Sequence, residues 1–208
     1  MVLTEELAKE RLASLKEWKR VPPNGSSRMR LSSTGRFGFH VEQLFGIRAN
    51  NSRNPDLFGT EIKTILASES KSICIGTIPY DEYVKLKNAD IDSLRFSDSD
   101  PYRKMSKTLF VFYEKSGDDF YKVKKINLVN FDNINPVILA QLDQDYQCLN
   151  RSFKKYTYEA LSRSYSSMHP STRFLKLAYK GSRQYVYPNW QFTSQFAKLV
   201  YNNAKEFN

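Results

Sequence analysis

A chain of 208 residues, 40% hydrophobic and 14% aromatic, is long enough to bury a core, and its charged fraction of 26% is ordinary for a globular protein. A formal net charge of +10, with an isoelectric point near 9.5, is not ordinary; it points to a polyanionic partner, nucleic acid before an acidic membrane surface. Two histidines exclude a multi-histidine zinc site, Cys74 and Cys148 read as reduced core thiols, and no apolar run approaches the roughly 18 residues of a membrane span. With no charged-then-apolar leader, the chain is expected to be cytoplasmic, away from membranes.

The N-terminus predicts a helix that Thr4 can cap, with Ala8, Leu12 and Leu15 on one stripe. Pro22-Pro23-Asn24-Gly25 stops it, and residues 26–36 follow as a basic loop carrying Arg28, Arg30 and Arg36. A second helix is expected over residues 36–45, with Phe37, Val41, Leu44 and Phe45 at helical spacing and Gly46 as its stop. Strands are expected over 60–66, 73–78, 107–113 and 120–131; Leu109-Phe110-Val111-Phe112-Tyr113 suits a strand buried on both faces. Asn135-Pro136 opens a helix with Leu139, Leu142, Tyr146 and Leu149 as its apolar stripe, and a short helix is expected around 159–163. Residues 174–180 and 184–187 read as a hairpin around Gly181-Ser182, and residues 193–204 as a helix with Phe196, Leu199 and Val200 inward. The pattern is one α/β domain, helices first and a mixed sheet behind them.

Chemistry is carried by Pro55-Asp56, four residues, then Glu61-Ile62-Lys63. Residues two apart on a strand share a face, so Glu61 and Lys63 point the same way while Asp56 arrives from the preceding turn. Two converging carboxylates suit magnesium, which prefers oxygen ligands and, once bound, polarises a phosphodiester and acidifies an attacking water. Lys63 can orient that water or balance transition-state charge, and Glu42 can add a third carboxylate. Alone, a Glu-x-Lys pair reads as the exposed face of an edge strand, and Glu17-Trp18-Lys19 repeats it on a helix. The strand context, the preceding Pro-Asp and the basic charge favour a nuclease.

Gly35-x-x-Gly38-x-x-x-Glu42, Pro55-Asp56 and the run Phe58-Gly59-Thr60-Glu61-Ile62-Lys63-Thr64 together resemble the MutH mismatch-repair nicking endonuclease family and its type II restriction relatives. Tyr102-Arg103-Lys104-Met105-Ser106-Lys107, residues 174–180 and residues 185–193 extend the resemblance in order from about residue 34 to residue 201. It implies the restriction-endonuclease-like PD-(D/E)xK fold, a mixed central sheet flanked by helices with a DNA-binding cleft. It further implies Asp56 and Glu61 as magnesium ligands, Lys63 as a catalytic residue, Glu42 completing the carboxylates, and Lys104 supporting the site from a neighbouring strand. Lys180 and Tyr187 match positions used for base reading, and Ala178 stands where the family has an arginine, a departure at the segment that would read a GATC-like site. The division expected is one endonuclease domain over 1–208: helix and turn at 1–25, catalytic core at 26–131, and a helical part with the DNA-reading hairpin at 132–208.

Residue by residue, simpler readings stand beside these. Lys104 lies in a solvated charge cluster with Arg103 and Lys107, Tyr187 suits hairpin packing, and Lys176 and Lys180 share a strand face that suits phosphate contact or plain exposure. The leading function is a magnesium-dependent type II restriction endonuclease acting on double-stranded DNA, with Arg36, Lys176, Lys180 and Tyr187 as DNA contacts, either as a homodimer or by nicking twice. Second is a strand-specific nickase switched on by mismatch-repair partners. From another class comes a catalytically silent DNA-binding module, and after it an RNA-binding or membrane-surface protein, disfavoured by the absence of an aromatic RNA signature and of a basic amphipathic helix.

Overall fold

In the computed structural model, residues 3–21, 33–47, 55–57, 59–67, 72–163, 172–181 and 186–207 are described. Two compact units emerge: residues 1–71, 104–132 and 200–208 form one, and residues 72–103 and 133–199 the other. Residues 72–103 therefore cluster with the later part of the chain rather than with their sequence neighbours.

The first unit is built on a four-stranded mixed sheet. Its strands are β1 (Lys19–Arg20), β2 (Glu61–Leu66), β4 (Lys107–Ser116) and β5 (Phe120–Asn130), in the order β1-β5-β4-β2. β2 runs parallel to β4, while β5 is antiparallel to both β4 and β1, so β2 is an edge strand. Helix α1 (Glu5–Arg11) is capped as expected, the Thr4 hydroxyl accepting from the Leu7 amide at 3.2 Å. Helix α2 (Ser33–Leu44) starts earlier than expected and ends in a turn at Gly46. Ala8, Leu12 and Leu15 join Phe37 and Val41 of α2 in one core against Ile62, Leu109, Val111, Tyr113 and Tyr121 of the sheet. β4 is buried on both faces, as its apolar run requires. Phe112 meets Tyr201 edge-on at 4.9 Å between ring centroids, and Phe131 meets Phe207. The Asn127 amide donates to the Val200 carbonyl at 2.7 Å.

The second unit holds a three-stranded antiparallel sheet of β3 (Ile73–Thr77), β6 (Leu175–Gly181) and β7 (Val186–Phe192), in the order β3-β7-β6. β7 runs five residues past the expected end of the hairpin's second strand, because Pro188, Trp190 and Phe192 all turn inward to bury. Helix α5 (Pro136–Lys155) opens as expected, with Asn135 accepting from the Val137 amide at 2.9 Å. It runs beyond the expected Leu149 stripe, since Ser152 and Phe153 are also buried. Tyr146 and Phe153 of α5 lie 5.2 and 5.7 Å from the Trp190 ring. Helix α3 (Tyr80–Asn88) was not expected, although Asp81 and Glu82 in its first turn and Lys85 and Lys87 in its last are the charge signature of a helix. Helix α6 (Tyr158–Arg163) follows α5. Helix α7 (Ser194–Asn202) stacks Phe196 on Phe192 at 4.1 Å.

The carboxylate of Asp145, 3% exposed within α5, accepts from the amides of Arg173, Phe174 and Leu175 at 3.2, 2.5 and 2.9 Å, and from Gln141 at 3.0 Å. It fixes the start of β6 to the helix.

Candidate active site

The parallel pairing of β2 with β4 sets Glu61 beside Thr108, at the start of both strands. That register is decisive for Lys104. It was expected on a strand, but it sits in the last turn of α4 (Asp100–Met105), just before β4 begins. Met105 is fully buried and its carbonyl accepts from the Thr108 hydroxyl at 2.8 Å, so a buried anchor ends the helix where β4 meets Glu61. Lys104 Nζ then lies 3.6 Å from Glu61 Oε1, while Lys63, two residues along the same strand face, reaches that oxygen at 2.5 Å.

Glu61 is only 2% exposed, and its second oxygen, Oε2, is buried without a hydrogen-bond partner. Its carboxyl pKa is raised above the ordinary 4.5; burial is the main cause, with Lys63 opposing it and Asp56 adding to it. A buried carboxylate with two lysines on one oxygen and nothing on the other is poor structural engineering. It is what a site reserved for another electropositive group looks like.

The four-residue gap between Asp56 and Glu61 is a tight reversal. Leu57 and Thr60 exchange amide-to-carbonyl bonds of 2.9 and 2.7 Å, and Gly59 takes a φ of +81°, a conformation that costs any side chain roughly 1–2 kcal/mol. The turn folds Asp56 back along β2, where its Oδ2 accepts from the Ile62 amide at 3.1 Å. Glu42 arrives from α2. Its carboxyl pKa is also raised, first by burial and then by Asp56, with Lys63 opposing and Glu61 adding to the rise. Gly38, one turn earlier on the same helical face, explains the approach: a Cβ there would lie 3.2 Å from Thr64 Oγ1, so only a glycine lets α2 sit this close to β2 without displacing that side chain.

Glu42, Asp56, Glu61, Lys63 and Lys104 are thus brought into one electrostatic cluster. Among the described residues, no group of three or more His, Cys, Asp or Glu side chains is arranged to hold a metal ion. Asp56 acts electrostatically on Glu61, and the unpartnered Glu61 Oε2 is an oxygen donor of the kind a hard divalent cation takes. The donor set fits such an ion.

The expected DNA contacts divide. Arg36 belongs to helix α2 rather than to a loop, and its guanidinium is 14% exposed and held to Asp119 at 2.8 Å. Lys176 is half-buried on β6 opposite Gln191, and Tyr187 on β7 is 44% exposed. Lys180 is opposite Tyr187 in the register, its side chain lying outside the described residues. Arg28, Arg30 and the turn at 22–25 also lie outside the described residues. The second unit therefore holds the hairpin residues, and the first holds the carboxylates and lysines.

The profile of the MvaI/BcnI restriction endonuclease family matches residues 13–206. A solved structure similar to the chain, that of the restriction endonuclease MvaI with its cognate DNA substrate, shares 13% identity over 96% of each chain with a TM-score of 0.49. No curated protein sequence matches. The restriction side of the resemblance is borne out by the family; the mismatch-repair side rests on the quoted motifs alone.

Proposed function

The chain belongs to the MvaI/BcnI restriction endonuclease family and is a DNA endonuclease; from that premise we propose that it is a magnesium-dependent type II enzyme hydrolysing double-stranded DNA at a specific site. One observation carries the reading: the buried Glu61 carboxylate, gripped by Lys63 and Lys104 on Oε1 and unpartnered at Oε2. Restriction endonucleases generally use divalent metal ions. Asp56 and Glu61 are the residues that would hold one, and magnesium there would polarise the scissile phosphate and acidify a water.

The chain's own groups do the remainder. Lys63 and Lys104 fix the Glu61 carboxylate in one orientation and present positive charge where the phosphorane gathers negative charge. Glu42, with its proton affinity raised, is suited to take the proton of the attacking water at its carboxylate. The basic excess of the chain supplies long-range attraction for duplex DNA. Lys176, Tyr187 and Lys180, the last opposite Tyr187 in the register, are the groups proposed to contact it.

Lys63→Ala is expected to lower turnover roughly 10²- to 10³-fold with little change in DNA affinity; Lys104→Ala, from the longer contact, should lower it less. Single-turnover cleavage and gel-shift titration on the same duplex separate the two effects. A loss confined to affinity would make Lys63 a phosphate contact.

The function is tested by timed digestion of unmethylated plasmid with magnesium and with EDTA. Discrete magnesium-dependent linear fragments are expected, and sequencing their ends gives the site and decides whether it is GATC-like. A persistent nicked circle would instead mark a strand-specific nickase awaiting a repair partner. Magnesium-independent cleavage would remove the role given to Asp56 and Glu61.

A further inference from the structure

Asn189 is sealed from solvent, yet neither the oxygen nor the nitrogen of its carboxamide has a hydrogen-bond partner. An unpaired buried amide is destabilising and rare, and calls for an explanation outside folding. Its place in the sheet supplies one. β7 is the middle strand, and the register sets Asn189 between Ala178 of β6 and Thr77 of β3. Ala178 offers no side-chain donor or acceptor.

Alternation along β7 puts Pro188, Trp190 and Phe192 on the buried apolar face, where Trp190 packs on α5. Tyr187, Asn189 and Gln191 take the other face, with Lys176 across from Gln191. That face is polar, carries an exposed tyrosine at its rim, and encloses an amide of which neither polar atom is paired.

We propose that Asn189 is a specificity-determining residue: its carboxamide pairs with one base edge in the major groove, at an A·T pair. An antiparallel β-ribbon fits that groove, and a carboxamide matches adenine N6 and N7 with one donor and one acceptor. The inference rests on the reading of the chain as a site-specific DNA endonuclease. Because the amide lies beneath its neighbours, its engagement requires the side chains of this face to repack on DNA.

The test uses duplexes randomised one position at a time around the wild-type cut site, digested with magnesium by the wild type, Asn189→Leu and Asn189→Asp, with thermal melting of each protein. Asn189→Leu removes both polar atoms at similar volume, and its melting temperature is expected to equal or exceed that of the wild type. Both variants should cut the wild-type site roughly 10- to 100-fold more slowly and lose discrimination at one A·T position, the other positions keeping theirs. If Asn189→Leu does not fold, Asn189→Asp, which keeps the shape and loses the donor, carries the same comparison. An unchanged preference at every position in a folded variant overturns the proposal, as does an equal loss at all positions, which would mark a structural role. A wild type that cuts without sequence preference, or not at all, overturns the underlying reading and this inference with it.

Discussion

Glu61→Gln is expected to abolish cleavage, by at least about 10³-fold, and to erase the stabilisation that magnesium gives the wild-type chain. The argument begins with burial. Both Glu61 and Glu42 have carboxyl pKa values raised above the ordinary 4.5, with loss of solvation the first cause in each. A carboxyl raised on folding favours the fold in its protonated form: that contribution is fully present below about 4.5 and is lost as pH rises through the raised value. At neutral pH the buried charge is therefore a cost to the fold, which Lys63 and Lys104 offset in part.

A divalent cation would offset it further. At a hundredfold excess over Kd, binding to the native state alone contributes about 2.7 kcal/mol, or roughly 5–10 °C in Tm for a chain of this size. Thermal melts with magnesium and with EDTA measure the shift. The wild type should show it and Glu61→Gln should not; a variant that keeps the shift would place the cation elsewhere.

Asp145→Ala is expected to cost about 3–5 kcal/mol, the largest loss of stability from any single side chain discussed. Its carboxylate serves three successive backbone amides at the start of β6 and the Gln141 side chain, all within a buried junction. Truncation leaves those donors unpaired and opens a cavity. Asp145→Asn should cost less but still be destabilising, because its amide nitrogen turns a donor toward N–H groups that donate. Urea unfolding of both variants gives the two values. A loss under about 1 kcal/mol in Asp145→Ala would show that water or a neighbour replaces the carboxylate.

The contrast between Glu61 and Asp145 shows where sequence reading stops. Glu61 was legible because its neighbours are periodic: a carboxylate and a lysine two apart on a strand, an aspartate one turn earlier. Asp145 sits on a helix with an aspartate two residues before it, and nothing local says which of Asp143 and Asp145 turns inward. Lys104 stands out along the chain as a site residue, but its element does not, because a helix of only six residues gives too short a period to see. Arg36 reads as a phosphate contact along the chain, and its pairing with Asp119, 83 residues away, is invisible there. Asn189 lies beyond residue 187, where the hairpin is expected to end, and its isolation exists only once β3 and β6 flank it.

Short-range physics, then, was written along the chain: the Thr4 and Asn135 caps, the apolar stripe of α5, the doubly buried β4, and the Glu61 and Lys63 alternation with Asp56 a turn before it all depend on residues within a few positions of one another. Tertiary structure alone decided the Glu61–Thr108 register that delivers Lys104, the close passage of α2 over Thr64 that delivers Glu42, and the pairing of Arg36 with Asp119. Those outcomes depend on burial and on charges brought together from distant segments. Both are properties of the packed chain, because desolvation and Coulomb energy follow distance in space rather than distance in sequence.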